Sequence, residues 1–412
     1  MKRVVVTGIG AITPYGQNEN FFENLLSGQS AISKLKGFAE KSLSYCHIAG
    51  QVHDFKPENF LPVKTASRMD RFIQMAAAAS MLARQDANLP ETFEQPDRVG
   101  VNVGSSAGGF NTIESNFYRM LERGPDRCSP FTVPMLIVNM PSGWISILHK
   151  AAGYSSCIST ACATGASAIG DAMRTIQLGV ADIMFAGGTE APITPLCMAA
   201  FASSRVLSGR NAAPAQASRP FDEDRDGFVM SEGACIMILE ELEHALRRKA
   251  RIYAELKGFG CVADAHDIVA PREDGDGARR AMTQAIEQAN WSADEVDYIN
   301  AHATSTIVGD RAESNAISKL FQECKNKVVV SATKSMTGHM LGSAGAIEAA
   351  ISCLSIFNDA IPPTINLLNV DTQCQLNHAF KAVRKKVVRV LSNSFGYGGH
   401  NTTLAFEAYP AT

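Results

Sequence analysis

The stretch SCISTACATGASAIGDAMR, Ser156 to Arg174, decides how the rest of the chain is read. A short run containing Cys157, Ile158 and Thr160 predicts a strand. A helical period starts near Cys162, with Ala163, Ala166, Ile169, Gly170 and Met173 recurring at three- and four-residue steps. Cys162 is thereby predicted at a strand-to-helix turn, beside unpaired backbone N–H groups and the positive end of a helix dipole. That setting favours the thiolate, the reactive form of cysteine. A small buried cysteine in a tight turn would produce the same local pattern, so the neighbouring chemistry has to decide between the two.

The 412 residues exceed one small core and predict more than one unit of ordinary domain size. With 46% hydrophobic and 19% charged residues and a net charge of −3, the chain reads as globular. No global field selects nucleic acid or a membrane surface as partner. Its 10 cysteines show no C-x-x-C pair and no zinc spacing, so no metal is expected and a reducing cytoplasm is. The start, MKRVVVTGIGAITPYG, mimics a leader, but Gly8-Ile9-Gly10 and Pro14 suit a first strand and its turn better. No apolar run approaches the roughly 20 residues of a membrane helix.

Strand patterns alternate with helical ones, predicting an α/β fold with buried, mostly parallel strands. Expected strands are Lys2–Thr7, Val99–Val103, Ala181–Ala186, Ala234–Leu239, Arg251–Gly260, Val296–Ala301 and Val328–Ala332; expected helices include Phe21–Leu26, Arg68–Arg84, Ile113–Glu122, Gly277–Asn290 and Gly345–Phe357. The pattern restarts near residue 250. A strand, small-residue turn and apolar helix around STACATG is echoed by SATKSMTGHMLGSAG, Ser331 to Gly345, and its helix. Two similarly built halves, 1–250 and 251–412, are therefore expected. Residues 203–233 lack a period and predict a functional loop or a cap.

The Gly8-Ile9-Gly10 run is not a dinucleotide fingerprint, because Thr13 stands where a third glycine is needed. Three other stretches carry chemistry: NAHATST (Asn300–Thr306) after an apolar strand, the Lys334 and His339 loop, and the glycine-rich NSFGYGGHN (Asn393–Asn401). A cysteine, two histidines and a lysine, each at a strand-to-loop junction, predict one assembled nucleophilic site.

STACATG, NAHATST, TKSMTGHMLGSAGA and NSFGYGGHN resemble the four signature stretches of the β-ketoacyl-acyl carrier protein synthases. The resemblance is to the synthase I/II group, synthase II most closely, and runs end to end through SRPFDEDRDGFVMSEGA and IPPTINLLN. It implies a thiolase-like fold of two duplicated βαβ halves in five α/β/α/β/α layers, a homodimer, and an acyltransferase of fatty acid elongation acting on acyl and malonyl carrier protein. It implies Cys162 as nucleophile, His302 and His339 as paired histidines and Lys334 as their support. Glu348, with Asp310 and Glu313, would supply supporting charge, or Glu348 and Asn300 a structural monovalent cation site; no other cofactor is implied. Phe395 and Tyr397 match the gating loop, with Tyr397 N–H as an oxyanion donor and Asp264 facing the gate. Ala107 falls in the acyl pocket, and Thr304 and Thr306 on the pantetheine arm. Lys64, Arg68, Arg127 and Arg205 are candidates for docking the acidic carrier protein.

The chain departs from the family's usual pattern at four places. Tyr397 stands for phenylalanine, His400 for threonine, Ala107 for a bulky aliphatic residue, and ADAHDIV (Ala263–Val269) for ADAYH. The rival assignments are a degradative thiolase, which wants a second catalytic cysteine near Tyr397 and His400, and a starter synthase, which wants asparagine at His339. A polyketide or specialised-lipid ketosynthase subunit would share this site. A non-catalytic chain-length partner would lack Cys162.

Overall fold

The computed structural model describes residues 1–18, 20–37, 45–324 and 326–410. Ten strands carry the architecture: β1 (Val4–Thr13), β2 (Val99–Gly104), β3 (Ser155–Ser156), β4 (Ile183–Glu190), β5 (Gly233–Glu241), β6 (Ala254–Ala263), β7 (Tyr298–Asn300), β8 (Val329–Ser331), β9 (Arg389–Gly396) and β10 (His400–Glu407). With a small hairpin strand on β1 they join in the order β8-β7-β9-β10-β6-β1-β5-β4-β2-β3. Counted outward from the β6–β1 seam, each half repeats its first, fifth, fourth, second and third strand. The directions repeat too: the fifth strand runs antiparallel to the first and fourth, and the second parallel to the fourth and third.

The seam is narrow, with Val5 paired to Glu255 and Val6 to Ala254. Beyond it the two half-sheets face each other across α4 (Thr164–Gln177) and α7 (Ala344–Phe357), whose Ile169, Met173, Ile347 and Ile351 are buried in the central core. Outside the first half-sheet lie α1 (Arg71–Asp86) and α3 (Met140–His149), and outside the second α5 (Asp276–Ala289) and α6 (Ile307–Leu320). Between α1 and α3 in the chain, α2 (Phe110–Arg123) keeps an exposed apolar face. These are the five layers that the resemblance implies.

Small residues let the central helices cross closely. A β-carbon on Gly345 would lie 2.8 Å from Ala166 N, and one on Gly165 would lie 2.7 Å from Ala346 N. The crossing falls in the first turn of both helices, so the loops that precede them, carrying Cys162 and His339, meet.

Two expectations change. The first strand does not break at Gly8-Ile9-Gly10 but runs to Thr13, with a register shift between Val6 and Gly8. The glycines serve packing, since a β-carbon on Gly10 would stand 2.0 Å from Ala79 O of α1. The strand before Cys162 is also shorter than its β-branched residues suggest: only Ser155–Ser156 pairs, beside β2, and the chain then turns irregularly until α4 starts at Thr164. The aperiodic segment 203–233 folds as a cap, pinned by buried Arg219, Asp222 and Arg225. Among the described residues no helix is long and apolar enough to cross a membrane.

Candidate active site

Cys162 sits on a tight elbow. Thr164 Oγ1 accepts from Thr160 N at 2.9 Å and donates to Ala161 O at 2.7 Å, while Ala163 N reaches Thr160 O at 3.1 Å. Ala161 is forced to φ +50°, a conformation that costs on the order of 1 kcal/mol or more for a residue with a β-carbon. The strain holds the sulfur forward into a cavity of about 370 Å³ that Cys162, His302, His339, Phe395 and Tyr397 help to line.

From the second half, His339 brings Nε2 to 3.1 Å from Cys162 Sγ. Its backbone is clamped to the cap, donating from N to Val229 O at 2.8 Å and accepting from Ser231 N at 2.9 Å. Phe228 meets the His339 ring edge-on at 5.2 Å. The His302 ring stands perpendicular to that of His339, with centroids 5.5 Å apart. Lys334 Nζ lies 3.3 Å from His302 Nδ1 and pairs with Glu348 Oε1. Since the ammonium can only donate, Nδ1 accepts and Nε2 of His302 carries the hydrogen. Glu313 holds the histidine strand-end, accepting His302 N at 2.9 Å, Ala303 N at 2.7 Å and Asn393 Nδ2 at 3.0 Å.

Electrostatics correct one expectation. Burial pushes the Cys162 thiol up to about 12, and Lys334 pulls the other way without prevailing. Desolvation acts against the helix terminus and favours the thiol, and His339 Nε2 is the base within reach. Burial first, and the Lys334 charge second, hold both imidazoles well below 6.5 and hence neutral. Burial also raises the Glu348 carboxyl to about 7, against the pull of Lys334.

At the gate, Phe395 packs against His302 with ring centroids at 5.6 Å. A β-carbon on Gly396 would approach Cys162 N to 3.0 Å, so the loop lies directly on the nucleophile's backbone. Tyr397 is 36% exposed, near Phe201 at 6.5 Å, and burial pushes its hydroxyl up to about 12. Asp264 is tied to this loop: its Oδ1 accepts from Asn401 Nδ2 at 2.9 Å, and its N donates to Gly399 O at 2.9 Å. The 263–269 loop and the glycine loop thus form one hydrogen-bonded unit, closed further by Gly398 N to Ile268 O at 2.7 Å. Thr304 and Thr306, whose hydroxyls stand 3.2 Å apart, line the cavity as well.

Other singled-out residues lie elsewhere. Asp310 is buried away from the sulfur, accepting Phe221 N at 2.9 Å and Ser305 N at 3.1 Å beside Arg225, and burial lifts it to about 7. It fastens the NAHATST loop to the cap. Ala107 does not line the cavity. It belongs to the turn after β2, where its N donates to Glu190 Oε1 at 3.1 Å. Lys64, Arg68, Arg127 and Arg205 are all exposed. Arg205 borders the cavity, and Arg68 stacks on Phe131 at 4.9 Å.

Phe228, Arg225 and Glu190 were not singled out by sequence reasoning. The first two lie in the quoted cap stretch, where a lone aromatic and a lone arginine carry no spacing signal. Glu190 had a faint one, an acid closing an apolar strand two residues after Gly188.

A thiol, two neutral imidazoles and a buried ammonium around one cavity, on a duplicated five-layer fold, define a thiolase-like acyltransferase. Residues 1–245 match the profile described as the β-ketoacyl synthase N-terminal domain, and residues 253–368 that of the C-terminal domain. The chain belongs to the β-ketoacyl synthase family. It is 48% identical over 410 residues to the 3-oxoacyl-[acyl-carrier-protein] synthase 2 of a Synechocystis strain, covering 99% of this chain and 98% of that one. It is 45% identical to the synthase 2 of Staphylococcus aureus over 100% of this chain and 99% of the other. Among solved structures, a type II polyketide ketosynthase in complex with its acyl-carrier protein superposes with a TM-score of 0.92 at 34% identity, over 99% of this chain and 100% of that one.

Proposed function

We propose that the chain is a 3-oxoacyl-[acyl-carrier-protein] synthase of fatty acid elongation, condensing malonyl with acyl carrier protein through an acyl-Cys162 intermediate. The observation that carries this reading is the 3.1 Å contact between Cys162 Sγ and His339 Nε2, with His302 and Lys334 behind it. Cys162 attacks the donor thioester. Its proton passes by way of His339 to the departing carrier thiolate, while N–H groups of Cys162 and Tyr397 stabilise the oxyanion. Acylation removes the thiol hydrogen; His339, left with its hydrogen on Nδ1, then gains a solvent proton at Nε2 and loses the one on Nδ1, and the Nε2–H tautomer meets the sulfur and an incoming carbonyl as a donor. His302 Nε2–H supplies the second donor. The malonyl carboxylate leaves as CO2, the two N–H groups hold the enolate oxygen, and the carbanion attacks acyl-Cys162. The C–C bond forms as the C–S bond breaks, and the Cys162 thiolate so released takes a proton from solvent.

In this reading residues 1–250 supply the thiol, and 251–412 supply the imidazoles, the ammonium and the gate. Thr304 and Thr306 bond the pantetheine arm, and Phe395, Tyr397 and Asp264 move as the gate. Asp310 and Glu313 act as supporting charges. Lys64, Arg68, Arg127 and Arg205 dock the acidic carrier protein. No redox or metal cofactor takes part in the proposed steps. A structural monovalent cation fits beside Asn300, because Glu348 Oε2 is buried without a hydrogen-bond partner. The assembly is a homodimer. The apolar face of α2 (Ile113, Phe117, Leu121, at 39, 52 and 65% exposure) and the open edge of β3 suit a second copy. All 10 cysteines are free, which suits a reducing cytoplasm.

Intact-mass measurement with acyl carrier protein donors of graded length tests the reading. A Cys162 adduct is expected, and its absence with every donor would overturn the assignment. A profile favouring polyketide-type or specialised acyl groups would favour the polyketide or specialised-lipid ketosynthase reading, which the likeness to the polyketide enzyme supports.

A further inference from the structure

Glu190 closes β4 and is wholly buried. Its carboxylate accepts five hydrogen bonds: Oε1 from Ser105 Oγ at 2.6 Å and Ala107 N at 3.1 Å, Oε2 from Ser106 N at 2.9 Å, Ser106 Oγ, and Gly342 N at 2.9 Å. No cation pairs with it among the described residues. Burial pushes this carboxyl upward. Even so, three of the partners are backbone N–H groups that can only donate, and each carboxyl oxygen accepts at least one of them, which favours the anion against that push.

The partners belong to two segments, and a third is joined to them through Ser105. Ser105, Ser106 and Ala107 form the turn after β2. Ser105 O accepts from Ser159 Oγ at 3.0 Å, joining that turn to the elbow of Cys162. Gly342 follows His339 by three residues and Leu341 by one, and Leu341 holds φ +44°, a strained conformation that needs an outside restraint. A β-carbon on Gly342 would stand 2.6 Å from Glu190 Oε2 and 2.7 Å from Ser106 N, so the loop presses against both.

We infer that Glu190 is a positioning residue: its buried carboxylate ties the Ala107 turn to the His339 loop and, through Ser105 and Ser159, to the Cys162 elbow, as one rigid unit. The inference rests on the condensing role proposed above. Lys334, Glu348 and Glu190 act on Cys162, and Arg205, Asp226, Asp264, Arg272, His302, Glu313, His339 and Tyr397 line its cavity. Among the described residues no cation pairs with Glu190. The clamp acts through geometry and charge together, so two readouts separate it from a merely structural contact.

The test is Glu190→Gln, which keeps the shape but turns an N–H toward donors and removes the charge. The rate of iodoacetamide labelling of the Cys162 peptide at pH 8, far below the thiol's midpoint, is expected to rise about threefold to tenfold, as expected when a nearby buried anion is lost. Turnover is expected to fall about ten- to hundredfold, with KM for the acyl donor within about twofold. An unchanged labelling rate, or turnover within about twofold of wild type, overturns the inference. If Glu190→Gln does not fold, Ser106→Ala removes a donor and keeps the charge. A loss of about threefold or more in turnover at unchanged KM is then expected, and wild-type turnover overturns the positioning role. Labelling does not depend on the proposed reaction. A wild-type enzyme that forms no acyl adduct would sink the condensing role and leave the labelling rate to be read on its own.

Discussion

The two halves share a strand order and differ in what they place at the same point. In each, a turn of small residues opens a central helix, α4 or α7, and the two helices cross at Gly165 and Gly345. The first half uses its turn to expose one sulfur on a strained elbow. The second buries its loop more deeply and fills it with His339 and Lys334, 2% and 1% exposed. Duplication therefore supplies the geometry, because two similar helix starts are brought face to face. Divergence supplies the chemistry: a nucleophile on one side, neutral donors and a cation on the other.

The sharpest way to break this division is Cys162→Ala. Condensation should fall by on the order of ten-thousandfold or more, with no acyl adduct by intact mass. Release of CO2 from malonyl carrier protein should persist, because that step draws on the second half. Loss of both activities at once would show that the halves do not act separately. The converse, His339→Ala, should cut CO2 release by about 10^2- to 10^3-fold while the acyl adduct still forms slowly. Undiminished CO2 release from that variant would remove His339 from the carbanion step.

The halves were also unequally legible in the sequence. NAHATST and the Lys334 loop are each ambiguous alone, since His302 could be a satisfied structural histidine, and they become specific only in combination with Cys162. The STACATG turn showed its position but not its electrostatics. The helix-start argument favours a thiolate, whereas burial holds the thiol up to about 12, and the extent of burial depends on the opposite half. Gly8-Ile9-Gly10 looked like a strand end because a glycine's partner is invisible in sequence, and here that partner is the backbone of α1. Glu190 escaped for the same reason. Its five donors lie 83 to 152 residues away along the chain. Ala107 was placed by resemblance alone, and it lies on a turn that Glu190 holds, outside the cavity lining.

A stability measurement sharpens the contrast further. Lys334→Ala leaves Glu348 buried without its partner and should cost about 3–5 kcal/mol in chemical denaturation. Lys334→Met combined with Glu348→Leu removes both charges and should recover most of that loss without restoring condensation. Recovery of activity in the double variant would mean that the ammonium has no chemical part. A stability loss under about 1 kcal/mol in the single variant would mean that the pair is not buried as described.

The smallest effect concerns a histidine on the outer layer of the first half. His149 stacks on Phe185 at 4.7 Å; its Nδ1 lies 3.1 Å from Arg84 Nη1 and its Nε2 2.9 Å from Ser80 Oγ. The guanidinium can only donate, so Nδ1 accepts and the ring is neutral. Burial, then the Arg84 charge, depress it to about 4. The unfolded chain titrates near 6.5, so below that pH it binds a proton that the folded chain refuses, and stability falls as pH drops from 6.5 toward 4. At pH 5 this one ring should account for about 2 kcal/mol of the decline from pH 7.5. In His149→Asn, urea midpoints at the two pH values should therefore lie closer together by that amount, whatever the variant's absolute stability. An unchanged difference would assign the acid sensitivity to His302 and His339 of the second half, which are depressed in the same direction by burial and Lys334. The catalytic half would then be the first to lose stability in acid.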